Sequence, residues 1–179
     1  MTQPMTMNPI LEDWNLLEPQ VAVAAVLPCN GSLEWAVQLA KLRPIQSDEA
    51  LFAASDRVWL ALGPEDWQEA FDSHPRIGEH KAKAATEKSL TWSAGEQSAA
   101  KLTEDTQTAL AAANRVYEET FGRIFIVCAN GKSAEEMLAI LRKRLANDSE
   151  TELLEAAEQQ RQITQLRLRK WLAVPQEAK

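Results

Sequence analysis

The chain is poor in cysteine, in histidine and in basic charge. Of its 179 residues two are cysteines, Cys29 and Cys128, two are histidines, and 19 are Lys or Arg against 26 Asp or Glu. Two thiols so far apart make neither a disulfide framework nor a zinc site, and a reducing cytoplasm is the expected compartment. A net charge of −7 with a pI near 5.0 argues against nucleic acid and anionic membranes as partners. It also means that an anionic ligand needs local positive charge in its pocket. No apolar run approaches the length that crosses a bilayer. Residues 1–8 lack the basic and apolar regions of a signal peptide, and the last three residues are not a peroxisomal address. Strand patterning is almost absent, and there is no internal repeat, low-complexity segment or domain linker. What remains is ordinary globular material, 45% apolar and 25% charged, long enough to bury a core without disulfides or metals.

Apolar spacing predicts an all-α fold: one helical domain over residues 10–174, with about seven to eight helices, one short extended segment and a long active-site loop. Residues 1–9 and 175–179 read as tails. Residues 16–27 read as the first helix, and Pro28-Cys29-Asn30-Gly31-Ser32 as a turn. Ser32 caps a helix over 33–42 that Pro44 stops. Ser47 caps the next, with Leu51, Ala54, Val58, Ala61 and Leu62 at helical spacing. Gly63 ends it and Pro64 opens a fourth. That helix must stop by His74, because a residue before proline is pushed out of the helical region. Residues 93–121 read as one long helix or two in series. Residues 124–129 form a continuous apolar run between Gly122 and Gly131, expected to be a buried extended segment. Helices over 133–145 and 149–173 complete the chain. Ser93/Glu96, Ser133/Glu136 and Ser149/Glu152 each match the capping-box pattern of Ser followed three residues later by Glu.

Both histidines fall in one polar stretch, residues 73–97. It opens with His74-Pro75-Arg76-Ile77-Gly78-Glu79-His80 and closes on Ser93-Ala94-Gly95-Glu96-Gln97. Long polar loops in compact domains are usually functional or disordered, and this one reads as an active-site wall. His74 is the acid/base candidate, since imidazole titrates nearest to neutral pH; its alternative role is to sit favourably at a helix C-terminus. His80 lies among charged residues and reads as solvated. Winding the last helix at about 100° per residue puts Arg167 on the arc of Leu153, Ala156, Ala157, Ile163, Leu168 and Trp171, with Gln160 and Thr164 beside it. An arginine facing the core is costly unless it is paired or binds an anion, and both readings stay open. Cys128 is conceivable as a nucleophile served by His74, but apolar surroundings blunt a thiol, and a buried structural role competes. Gly131-Lys132-Ser133 lacks the first glycine of a phosphate-binding loop, Ile126 standing there, and is rejected. The six tryptophans read as core or interface fillers.

Four pieces together resemble the 2-oxo-4-hydroxy-4-carboxy-5-ureidoimidazoline (OHCU) decarboxylases, enzymes of urate breakdown. They are His74-Pro75; Ser93-Ala94-Gly95-Glu96-Gln97; residues 114–129, containing Tyr117-Glu118-Glu119-Thr120-Phe121-Gly122 and Phe125-Ile126-Val127-Cys128-Ala129; and Leu166-Arg167-Leu168. The resemblance spans residues 16–172. It implies an all-α homodimer that needs no cofactor or metal and converts the ureidoimidazoline into (S)-allantoin and carbon dioxide. It also implies His74 as catalytic acid/base with Glu96 and Arg167 as partners. Pro75, Ser93, Ala94, Gly95, Glu96, Gln97, Phe125, Ile126, Val127, Cys128 and Ala129 would line the substrate site. No role for Arg76 or Glu79 carries over. A Cys128–His74 hydrolase and a non-catalytic helical adaptor are the rival readings.

Overall fold

Capping side chains and prolines punctuate the chain. The computed structural model describes residues 7–77, 88, 91–92 and 103–173. Eight helices have bounds within them: α1 (Pro9–Leu16), α2 (Pro19–Asn30), α3 (Leu33–Lys41), α4 (Asp48–Ala61), α5 (Pro64–Asp72), α6 (Glu104–Phe121), α7 (Ala134–Arg144) and α8 (Ser149–Leu172). No residue among those described is in a strand, so the all-α expectation holds. Ser32, Ser47 and Ser133 accept from the backbone N–H groups of Trp35, Ala50 and Glu136, as expected, and Ser133/Glu136 closes a full capping box. Pro64 occupies the first turn of α5.

Four boundaries differ from the sequence reading. Helix α1 starts at Pro9, inside the segment read as a tail, because Asn8 caps it and proline fits a first helical turn. Asn8 also donates to the Leu172 carbonyl at 3.1 Å, tying this end to α8. Helix α2 runs through Pro28, Cys29 and Asn30, which had read as a turn. Pro28 removes one rung of hydrogen bonding, but Val26, Cys29 and Asn30 are buried, and packing against α8 keeps the last turn helical. The turn reduces to Gly31, whose φ of 100° needs glycine. Helix α6 has its own cap, Thr103, in an extended conformation, so a single helix from residue 93 is excluded. Helix α8 is capped by Asp148, not Ser149, and Glu152 takes no part in a capping box. Both Asp148 and Ser149 can cap; the choice of Asp148 leaves Glu152 to turn inward.

Among the described residues the two main cores lie on either side of residues 124–129, and Leu110, Ala134 and Leu138 form a third, small cluster. The larger joins α1–α5 with α8 and contains Trp14, Trp35, Trp59, Trp67 and Trp171. The indole N–H groups of Trp14, Trp59 and Trp67 donate to the Ala22, Ala157 and Trp59 carbonyls at 2.9, 2.9 and 3.1 Å. The smaller joins α6 and α7 through Tyr117, Phe121, Met137 and Leu141. Along the extended segment Ile126 and Cys128 face the larger core, while Phe125, Val127 and Ala129 face the smaller one. Extended backbone alternates sides, and both sides here are apolar, which explains the unbroken apolar run. Among the described residues no helix is long and apolar enough to cross a membrane.

Candidate active site

His74 sits where α5 ends. Ser73 Oγ donates to the Ala70 carbonyl at 2.6 Å and the His74 N–H to the Phe71 carbonyl at 3.1 Å, closing the helix before Pro75. The residue is only 9% exposed, and its Nε2 lies 2.7 Å from Gln160 Oε1 on α8. Gln160 Nε2 in turn donates to the Asn30 carbonyl at 3.3 Å and to Thr164 Oγ1 at 3.2 Å. The ends of α2 and α5 thus meet the middle of α8. Their approach depends on Gly31: a Cβ there would lie 2.3 Å from Ser73 Oγ.

Burial, followed by the charge of Arg167, pushes the His74 pKa down to about 3; the contact with Gln160 opposes them. The imidazole is therefore neutral near pH 7 and able to accept a proton, and its basicity is held down by a neighbouring cation. An anion bound beside Arg167 would offset that cation and raise it.

Gln160, Thr164, Arg167 and Trp171 follow one another at i, i+4, i+7 and i+11, forming one stripe of α8. All four are buried, and Arg167 is fully so. The winding argument thus placed Arg167 correctly. Its Nη1 donates to the Pro28 carbonyl at 3.4 Å, and its guanidinium carbon lies 6.0 Å from the Trp92 ring centre, within cation–π reach. Trp92 immediately precedes Ser93 in the chain. Cys29 lies within the same electrostatic neighbourhood, its thiol pushed up to about 12 by burial against the pull of Arg167. Glu96, together with Ser93, Ala94, Gly95, Gln97 and His80, lies outside the described residues. Pro75 is buried beside His74.

Residues 125–129 are buried, but side chains already hold part of their backbone. Arg144 Nη1 donates to the Ile126 carbonyl at 2.6 Å, the Cys128 N–H donates to Gln159 Oε1 at 2.8 Å, and Lys132 Nζ donates to the Cys128 carbonyl at 2.8 Å. Side chains thus replace the strand neighbour that extended backbone ordinarily requires. Cys128 is 6% exposed and forms no disulfide. It lines a groove of about 500 Å³ between α4 and α8, with Phe52, Asp56, Arg161 and Arg169 among its walls. Neither His74 nor Arg167 lines it, so the groove does not join Cys128 to His74.

Sequence reasoning passed over three features. Glu152 is fully buried and is met by Arg144 Nε and Nη2 at 2.9 and 2.5 Å, by Asn147 Nδ2 at 2.9 Å and by the Tyr117 hydroxyl. Arg76, just after His74-Pro75, makes a two-pronged ion pair with Glu118 of α6 at 2.5 and 2.7 Å, while Ile77 packs on the smaller core. Gln160 contacts His74. Only Gln160 carried a usable signal, its place on the Arg167 stripe.

Residues 15–169 match the OHCU decarboxylase family profile. A uric acid degradation bifunctional protein (TTL) of Arabidopsis thaliana is 38% identical over 144 residues, which are 79% of this chain and 44% of that protein. A uric acid degradation bifunctional protein of Bacillus sp. (strain TB-90) is 27% identical over 129 residues, 70% of this chain and 24% of that protein. The chain thus spans less than half the length of these curated relatives. Among solved structures, an OHCU decarboxylase crystallised in the presence of (S)-allantoin superposes with a TM-score of 0.73 at 34% identity, covering 88% of this chain and all of that one. An (S)-allantoin synthase superposes at 0.68 and 19% identity, covering 90% of this chain and 53% of that one, a likeness of fold.

Proposed function

The chain belongs to the OHCU decarboxylase family, and on that footing we propose that it decarboxylates 2-oxo-4-hydroxy-4-carboxy-5-ureidoimidazoline to (S)-allantoin and carbon dioxide. The observation that carries this reading is the buried neutral His74 in the electrostatic reach of a fully buried Arg167. Breaking the bond to the carboxylate leaves an electron pair. The adjoining ring imine takes it up, giving an enol-type intermediate without an external electron sink. The protein then has to hold the anion, move the hydroxyl proton and deliver a proton to one face of the ring carbon.

Arg167 holds a substrate oxygen with its fork of donors. Binding of the carboxylate offsets the Arg167 charge and restores basicity to His74, which takes the hydroxyl proton as the carbonyl forms. Glu96 binds the ureido N–H groups or assists His74. Pro75, Ser93, Ala94, Gly95, Gln97 and the segment 125–129 line the site. Because Ile126 C=O, Cys128 N–H and Cys128 C=O are already engaged, substrate contacts from that segment fall to its other backbone groups. A homodimer and a reducing, cytoplasmic setting belong to the same proposal.

The test is carbon dioxide release from freshly generated ureidoimidazoline. Wild-type protein is expected to outrun spontaneous decay, and His74→Asn to match it while keeping the helical signal. Wild-type turnover in His74→Asn would remove His74 from the mechanism. Turnover abolished in a folded Cys128→Ser protein as well as in His74→Asn would favour the Cys128–His74 reading.

A further inference from the structure

The polarity of two backbone groups propagates through side chains to His74. Ser32 N–H can only donate, and at 3.0 Å it meets Asn30 Oδ1, so Asn30 turns its NH₂ toward Thr164 Oγ1 at 3.0 Å. The Thr164 hydroxyl spends its own proton on the Gln160 carbonyl at 2.9 Å and so receives from Asn30. The Asn30 carbonyl can only accept. The Gln160 group 3.3 Å from it is therefore the NH₂, which also reaches Thr164 Oγ1 at 3.2 Å. The Gln160 amide then has one orientation, and its oxygen faces His74 Nε2 at 2.7 Å. Gln160, Thr164 and Asn30 are all at least nine-tenths buried, so water does not compete for these contacts.

We infer that Gln160 is a positioning residue that locks His74 in the Nε2–H tautomer, leaving Nδ1 as the nitrogen that exchanges protons with substrate. A neutral imidazole has one donor and one acceptor nitrogen, and the contact made by one decides the role of the other. Facing an oxygen that only accepts, Nε2 carries the hydrogen. Nδ1 holds the lone pair and must point at the substrate hydroxyl in the productive complex. This assignment rests on the proposed decarboxylation only for what Nδ1 acts on; the tautomer itself follows from the hydrogen-bond chain.

Nitrogen-15 NMR of the imidazole at pH 7 reads the tautomer directly, and His80→Gln leaves His74 as the single ring observed. The expected spectrum shows Nε2 as a protonated, pyrrole-type nitrogen and Nδ1 as a bare, pyridine-type one. A protonated Nδ1, or an even mixture, overturns the inference. Gln160→Met keeps the length of the side chain and removes both its acceptor and its donors. It should mix the tautomers and lower kcat by about tenfold or more with KM changed by less than about threefold, as for a base presented in the wrong tautomer. An unchanged tautomer with wild-type kcat in that variant also overturns it. If Gln160→Met does not fold, the wild-type spectrum alone decides. If the wild-type tautomer is Nε2–H but ureidoimidazoline is not consumed, the proposed reaction fails and the tautomer assignment stands.

Discussion

Arg144 and Glu152 form a buried ion pair, 5% and 0% exposed, and the remaining prong of Arg144 holds the Ile126 carbonyl. One pair therefore ties the start of α8, the end of α7 and the extended segment together. Arg144 also stacks over Phe125, 4.7 Å from its ring centre.

Removing one partner of a desolvated pair leaves the other charged and buried, at about 3–5 kcal/mol. Glu152→Ala is expected to lose stability of that order in chemical denaturation. Glu152→Gln, which keeps a hydrogen-bonding oxygen, should lose less. A loss below about 1 kcal/mol for Glu152→Ala, the level of an exposed pair, would contradict a desolvated network.

His74 gives a signed pH dependence. Its folded pKa, about 3, lies below the 6.5 of the unfolded chain. Between those values the unfolded chain binds the extra proton, so stability rises with pH there and is lost on acidification. Its share should fall by on the order of 2 kcal/mol from pH 6.5 to pH 5. Urea midpoints across this range measure it, and His74→Asn should flatten the slope. An identical slope in that variant would place the effect elsewhere.

Gly31→Ala strains the backbone at φ 100° and drives a Cβ to within 2.6 Å of Ser73 Cβ. The expected cost is about 1–3 kcal/mol. Because Ser73 precedes His74, turnover should fall as well. Wild-type stability and activity in Gly31→Ala would show that the α2–α5 junction does not set the His74 position.

Much of the fold was legible because local rules and burial agreed. Ser32, Ser47 and Ser133 stood directly before residues at helical spacing, with Asp48 the nearest competitor to Ser47 but already inside the helix, and Pro64 had a single tolerated place. The extended segment was legible because an apolar run between two glycines had to be buried on both sides. Where two residues could do the same job, the reading slipped: Asp148 displaced Ser149, and Glu152 moved from a cap to the core. Pro28 misled because burial of α2 overrode the local cost of proline. Among the candidate site residues, His74 and Arg167 were singled out by chemistry and by helical winding, and both are buried. Arg144 was not, and Gln160 was placed on the Arg167 stripe without its contact to His74, because these partners lie 8 to 130 residues away, where periodicity does not pair them.

Cys128 separates the decarboxylase from the hydrolase. Its backbone contacts with Gln159 and Lys132 do not need the thiol. Cys128→Ser should turn over ureidoimidazoline like the wild type, with at most a modest stability loss from a buried hydroxyl. Abolished turnover in a folded Cys128→Ser protein would favour a thiol nucleophile.

The central claim is stereospecific decarboxylation, and circular dichroism measures it in one cuvette. Ureidoimidazoline is generated from urate by the two upstream enzymes, the protein is added, and the allantoin signal is followed. The account predicts rapid accumulation of (S)-allantoin alone. A rate equal to spontaneous decay, ending in racemic allantoin, would contradict it.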